Sequence, residues 1–163
     1  KEYIERKTIK EMLPKHHILI GFIVSIFLFL IFPITILEAW IILLSSFLID
    51  VDHYLFYVYK KRDFSLRNSF NSFIIRGRKY SKLSKEEKNK LKQPIFLFHG
   101  IEFWSVLLIF SFTNEIFIFI LIGIFIHMIL DYIDLYNKKE PFYKKTSQII
   151  VYIKNKNKKE LKL

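Results

Sequence analysis

The chain has 163 residues, 52% of them hydrophobic and 18% aromatic, and a formal net charge of +11. That length makes one domain, and 18 Phe beside 26 Lys and Arg exclude an ordinary soluble globule unless the two classes are separated along the sequence. The absence of cysteine excludes disulfides and thiolate metal ligands.

The two classes are separated. No Lys or Arg lies between Lys15 and Lys60, or between Lys92 and Lys138; all basic residues fall in tracts 1–15, 60–92 and 138–162. The first tract runs into the apolar sequence without an A-x-A-like site, so no cleavable secretory signal is expected. His17–Phe32 and Ile34–Ile49 are apolar runs parted at Pro33. Ile95–Phe112 and Ile116–Ile133 form a second pair, parted at Thr113-Asn114-Glu115. A bilayer core takes about 20 apolar residues per helix, and a spanning segment must satisfy its own backbone. The expectation is therefore an all-α, multi-pass membrane protein. Its four transmembrane helices, about 17–33, 35–53, 95–112 and 116–134, form two hairpins of one bundle. A long buried hairpin of a soluble all-α protein is the competing reading.

Four spans put the N-terminus, the 60–93 connection and the 138–163 tail on one side, and only Glu38 and Glu115 mark the other. Basic residues stay inside, which predicts a cell-membrane protein with both termini cytoplasmic. Topology and attraction to anionic headgroups then account for the charge, and nucleic acid is not expected as a partner. In the connection, Ser84-Lys85-Glu86-Glu87 reads as a capping box opening a short helix before Pro94. Phe64, Leu66, Phe70 and Ile74, interleaved with Arg67, Arg76 and Arg78, predict an interfacial amphipathic segment and a surface for a cytosolic protein partner. The tail predicts another such segment with a frayed Lys/Asn-rich end.

Followed for depth, every histidine comes to the same membrane face. His16 and His17 open the first span; Asp50, Asp52 and His53 close the second. His99 and Glu102 begin the third, and His127, Asp131 and Asp134 end the fourth. Asp50/His53 and His99/Glu102 are spaced i,i+3 and His127/Asp131 i,i+4, so each pair shares a helical face. Asp52 is out of phase with Asp50 on a regular helix, so either the helix loosens at this end or only one of the two aspartates joins the ligands. Carboxylates in an apolar layer repel one another, and a divalent cation relieves that charge. Candidate metal ligands are His17, Asp50, Asp52, His53, His99, Glu102, His127 and Asp131, with Glu102 or Asp50 the candidate general base. His and carboxylate without thiolate suit zinc, with manganese or iron possible, as one or more ions. Ser45, Ser46 and Ser105 sit in no nucleophile-elbow sequence.

His17-Ile18-Leu19-Ile20-Gly21, Asp50-Val51-Asp52-His53 and His127-x-x-x-Asp131, in that order, resemble the motifs of the YdjM-like (LexA-binding, inner membrane-associated) family of membrane-bound metal-dependent hydrolases. The likeness covers about residues 16–136. It departs at the third span, where Phe98-His99-Gly100 stands without the family's upstream His-Arg. The resemblance implies Asp52, His53, His127 and Asp131 as the core ligands. Through the family's kinship with zinc-dependent phospholipase C and S1/P1-type nucleases, it also implies phosphoester hydrolysis. The expected function is thus a metal-dependent hydrolase of a lipid or lipid-linked phosphoester, with membrane lipid at hand. A metal-stabilised scaffold docking a cytosolic partner is the alternative. A small cation or proton transporter ranks last, because the outer halves of the spans are almost wholly apolar.

Overall fold

A computed structural model describes residues 14–161, and their regular structure is helical apart from one isolated bridge. The helices are α1 (Pro14–Ile31), α2 (Ile36–Leu48), α3 (Val51–Lys61), α4 (Leu66–Ser81), α5 (Lys85–Asn89), α6 (Ile101–Ser111), α7 (Ile116–Asn137), α8 (Tyr143–Thr146) and α9 (Gln148–Asn155). A 3₁₀ turn, Leu97–His99, precedes α6. Local chemistry sets several starts. Thr35 Oγ1 accepts from Glu38 N at 3.3 Å while the Glu38 carboxylate takes Thr35 N–H, closing a capping box on α2. The expected Ser84/Glu87 box opens α5.

α2 is the central element, packed against both α1 and α7, with α6 on the far side of α7. Small residues permit the close approach. A Cβ on Gly123 would meet Ser45 Oγ at 2.0 Å and Ile42 O at 2.4 Å, and one on Gly21 would meet Ser46 Oγ at 2.0 Å. Gly and Ser facing each other is how helices pack backbone to backbone where apolar burial gives little drive. Ile49, Leu107, Ile124 and Met128 form the buried apolar cluster between the helices.

The reverse faces are apolar and open: Leu30, Ile109, Phe112 and Phe125 are each at least two-thirds exposed. Ile36–Lys61, taken through its central turn, and Ile116–Asn137 are long and apolar enough to cross a membrane, yet only 33% of each apolar window is buried. The core helix of a soluble protein would be mostly covered. α1 and α6 are shorter. The helix expected over 95–112 is helical only over Ile101–Ser111, about 16 Å at 1.5 Å per residue. Residues 92–96 are outside any helix, and the backbone N–H groups of Lys92, Gln93 and Phe96 bond the tail.

The tail is not frayed over its described length. Lys92 N–H donates to Lys159 O at 2.8 Å, Gln93 N–H to Asn155 Oδ1 at 2.9 Å and Phe96 N–H to Gln148 Oε1 at 2.9 Å. These bonds strap 138–161 along the 92–96 segment. Residues 1–13, including most of the first basic tract, lie outside the described residues.

Candidate metal centre

Between α2 and α3 the backbone tightens. Asp50 N–H bonds Phe47 O, Asp52 N–H bonds Ile49 O and His53 N–H bonds Asp50 O, all i to i−3, with Asp50 at φ −68°, ψ −6°. This turn is the loosening that the Asp50/Asp52 phase required. Both aspartates face inward because of it.

Four acceptor atoms then converge from three elements: Asp50 Oδ1 from the turn, His99 Nε2 from the 3₁₀ turn, and His127 Nε2 and Asp131 Oδ2 from α7. His99 Nε2 lies 3.2 Å from His127 Nε2, 3.6 Å from Asp50 Oδ1 and 3.5 Å from Asp131 Oδ2. His127 Nε2 lies 3.6 Å from Asp50 Oδ1 and 3.4 Å from Asp131 Oδ2. Ligands about 2.0–2.2 Å from a tetrahedral ion stand about 3.3–3.6 Å apart, so these separations are those of a group that could hold a metal ion.

The second nitrogens decide which atoms are free to bind. His127 Nδ1–H donates to the Ser46 carbonyl at 2.8 Å, since a carbonyl can only accept. His99 Nδ1–H donates to Asp52 Oδ2 at 2.9 Å, and Phe98 N–H donates to the same oxygen at 3.1 Å. A neutral ring that donates through Nδ1 leaves Nε2 a lone pair, and the two Nε2 atoms face each other with two carboxylate oxygens alongside. Such a set needs a shared proton or a cation. Orientation of a ligating imidazole by a carbonyl or carboxylate on its other nitrogen is the usual arrangement of metal sites.

His17, also buried, stacks on His127 with centroids 4.1 Å apart and lies 4.0 Å from Asp131 Oδ1. His53 reaches Asp50 Oδ1 at 3.5 Å and Asp52 Oδ1 at 3.9 Å, its ring flat against Phe96 at 3.9 Å. Its side chain is 27% exposed, against 0% for His99 and His127, so His53 and Asp50 form the accessible edge. Three overlapping groups bring ligand atoms within 4.8 Å of one another: His17/Asp50/His127, Asp50/His53/His99 and His99/His127/Asp131. Among the described residues, His17 Nδ1 and Asp52 Oδ1 are buried without a hydrogen bond, and Asp131 Oδ2 is met by the Lys145 ammonium.

Two expected ligands are placed differently. Asp52 spends Oδ2 on orienting His99, while Asp50 presents its oxygen to three imidazoles. Glu102 turns away to the tail, accepting from Ser147 Oγ at 2.5 Å, Ile149 N–H at 3.1 Å and Gln148 N–H at 3.2 Å. Its i,i+3 relation to His99 fails because Gly100, extended at φ −98°, ψ 149°, separates the 3₁₀ turn from α6. Asp134 pairs with Lys138, one turn further along α7.

Lys145, from α8, enters the cluster: Nζ lies 2.9 Å from Asp131 Oδ2, as an ion pair, and 3.5 Å from His53 Nε2. Burial alone would lower its pKa, but the Asp131 and Asp50 carboxylates outweigh that and hold it above the usual lysine value. Nothing in the local sequence marks this lysine. Ser147 caps α9 by accepting Ile150 N–H, a start signal the sequence reading of the tail missed.

The chain has no matching family model, curated protein or solved structure. The cluster's own chemistry must carry the functional reading.

Proposed function

We propose that the protein is a multi-pass membrane metallohydrolase that cleaves a phosphoester, of a lipid or a lipid-linked molecule, at the cytoplasmic headgroup level. The observation that carries this is the convergence of His99 Nε2, His127 Nε2, Asp50 Oδ1 and Asp131 Oδ2, four acceptors 3.2–3.6 Å apart over the measured pairs, with both imidazoles held as Nδ1–H tautomers. Asp50, His99, His127 and Asp131 would hold the ion, for which we favour zinc, with a fifth position needed for water on the accessible side; Asp52 and the Ser46 carbonyl orient the two rings, and His17 packs behind His127. A divalent metal held there supplies Lewis acidity and a water acidic enough to ionise near neutral pH. His53, on the accessible edge, is placed to take or return a proton, and the Lys145 ammonium beside it to bind a phosphate oxygen. Glu102 is left to its structural role and the general base passes to Asp50 or His53.

The four-span topology rests on the segregation of Lys and Arg and on the exposed apolar faces. α6 would cross with residues 92–96 and the 3₁₀ turn before it, irregular backbone tolerated at depth where protein covers it. The ordered motifs that resemble the YdjM-like family support the same activity. One observation favours a second reading, a scaffold without turnover: Lys145 already sets a cation against Asp131.

Elemental analysis of detergent-purified protein beside an Asp50→Ala/His127→Ala variant tests the centre. Stoichiometric metal in the first and little in the second is expected, and negligible metal in both overturns it. Hydrolysis of phosphomonoesters and phosphodiesters by the loaded protein then separates enzyme from scaffold. Because the chain lacks cysteine, single cysteines at Lys79 and Asn114 report topology cleanly: impermeant maleimide added outside cells should label only the second.

A further inference from the structure

A cleft of about 630 Å³ opens beside the cluster, between α3, α4, the 92–98 segment and the tail, with Asp52 in its wall. One part of its lining is cationic: Lys60, Arg76, Lys92 and Lys156 stand against a single further acid, Glu160. Glu160 is already paired with Lys60 at 2.6 Å. The Arg76 guanidinium makes one hydrogen bond among the described residues, a long one to Lys92 O at 3.4 Å, and sits over the Phe56 ring at 6.0 Å. Most of its five donors are therefore available. Burial pulls the Arg76 pKa down, with Glu160 and Tyr80 opposing, so an incoming anion offsets a desolvated charge.

The other part of the lining is apolar. Leu55, Leu97 and Tyr152 line it and are exposed, Leu55 to 49% and the other two to more than 60%. A cation cluster at one end and an uncovered apolar wall at the other match neither a free sugar phosphate nor a neutral lipid. Arg and Lys with unused donors recognise phosphate, and a pocket wall of this kind takes hydrocarbon.

We propose that this cleft binds an amphiphile bearing a phosphate headgroup, with the phosphate held by Arg76 and Lys92 and its chain laid along Leu97, Leu55 and Tyr152. The site deepens the hydrolase reading and rests on it only for the claim that the ligand is substrate. Binding itself requires no metal.

The test uses full-length protein in nanodiscs with a phosphatidate analogue whose acyl chain carries a photoactivatable group, cross-links being mapped by mass spectrometry. Labelling should concentrate on Leu55, Leu97 and Tyr152 and fall about tenfold in Arg76→Gln/Lys92→Gln. General labelling of the apolar belt should persist there, which shows that the variant is folded and inserted. Lys79→Gln, on α4 but outside the cleft, should leave labelling unchanged. A phosphocholine analogue with the same tail should label the belt only, and millimolar glycerol phosphate should not displace the phosphatidate. Equal cleft labelling by both lipids, or no response to the Arg76/Lys92 double variant, overturns the site. Full displacement by glycerol phosphate overturns the amphiphile and identifies a soluble phosphate instead. His127→Ala should lose turnover and keep the cleft labelling; in the unsubstituted protein, labelling without turnover leaves the cleft standing when the hydrolase reading fails, and turnover without cleft labelling leaves the centre standing without the cleft.

Discussion

Lys145 Nζ lies 2.9 Å from Asp131 Oδ2, so a residue of the C-terminal tail completes a cluster otherwise built by the helices and the turn before α6. The ammonium and a metal ion would compete for the same carboxylate. Lys145→Met removes that competitor and should raise zinc affinity about tenfold or more, from one unit charge within a few ångströms at intermediate dielectric. Competition against a chromophoric chelator reads the change; unaltered affinity would show that the lysine and the metal do not share Asp131.

Asp50 and Asp52 should part company on substitution. Asp50→Asn removes an oxygen facing three imidazoles and should abolish tight metal binding. Asp52→Asn removes the carboxylate behind His99 and should weaken affinity by about 10- to 100-fold while leaving stoichiometry near wild type at saturating metal. Metal retention after dialysis distinguishes the two. The opposite ranking would restore Asp52 as the ligand.

Glu102→Gln should leave metal content unchanged and loosen the tail. The carboxylate caps the start of α9 through Ser147, Gln148 and Ile149, and charged hydrogen bonds of this kind each contribute on the order of 1–3 kcal/mol. Faster limited proteolysis within 147–161 is the expected readout. Loss of metal with an intact tail would place Glu102 back in the centre.

Docking of the tail should weaken in acid. Glu140 bonds Lys144 and Lys88. Burial pushes its pKa up, but these two ammonium groups prevail and hold it below the ordinary 4.5. A depressed folded pKa gives stability that is present above the unfolded value and lost as pH falls through the folded one. Tail proteolysis measured from pH 6 down to 3.5 should therefore accelerate below about 4.5, the ordinary value, and the step should be smaller in Glu140→Gln.

Much of the centre was legible because it depends on spacing within one element. His127 and Asp131, four apart on α7, meet at 3.4 Å, and Asp50 and His53, three apart across the turn, meet at 3.5 Å. The convergence of His17, Asp50, His99 and His127 followed from reading depth along the apolar runs. The pairing of His99 with Glu102 was not legible, because helical phase holds only where the helix is continuous and Gly100 interrupts it.

Sequence alone determined what partition between water and hydrocarbon dictates. Helical, apolar runs alternate with basic tracts, and the histidines and acids crowd toward one end. Tertiary structure decided the roles. Whether an aspartate faces a metal or the back of an imidazole depends on a turn of i to i−3 bonds at Asp50, and on where His99 arrives from 47 positions beyond Asp52. The entry of Lys145 depends on contacts of like range, since Glu102, Gln93 and Phe96 hold the tail in register over 45–62 residues. Charge and hydropathy act locally and show in composition; such contacts exist only once the chain has closed on itself.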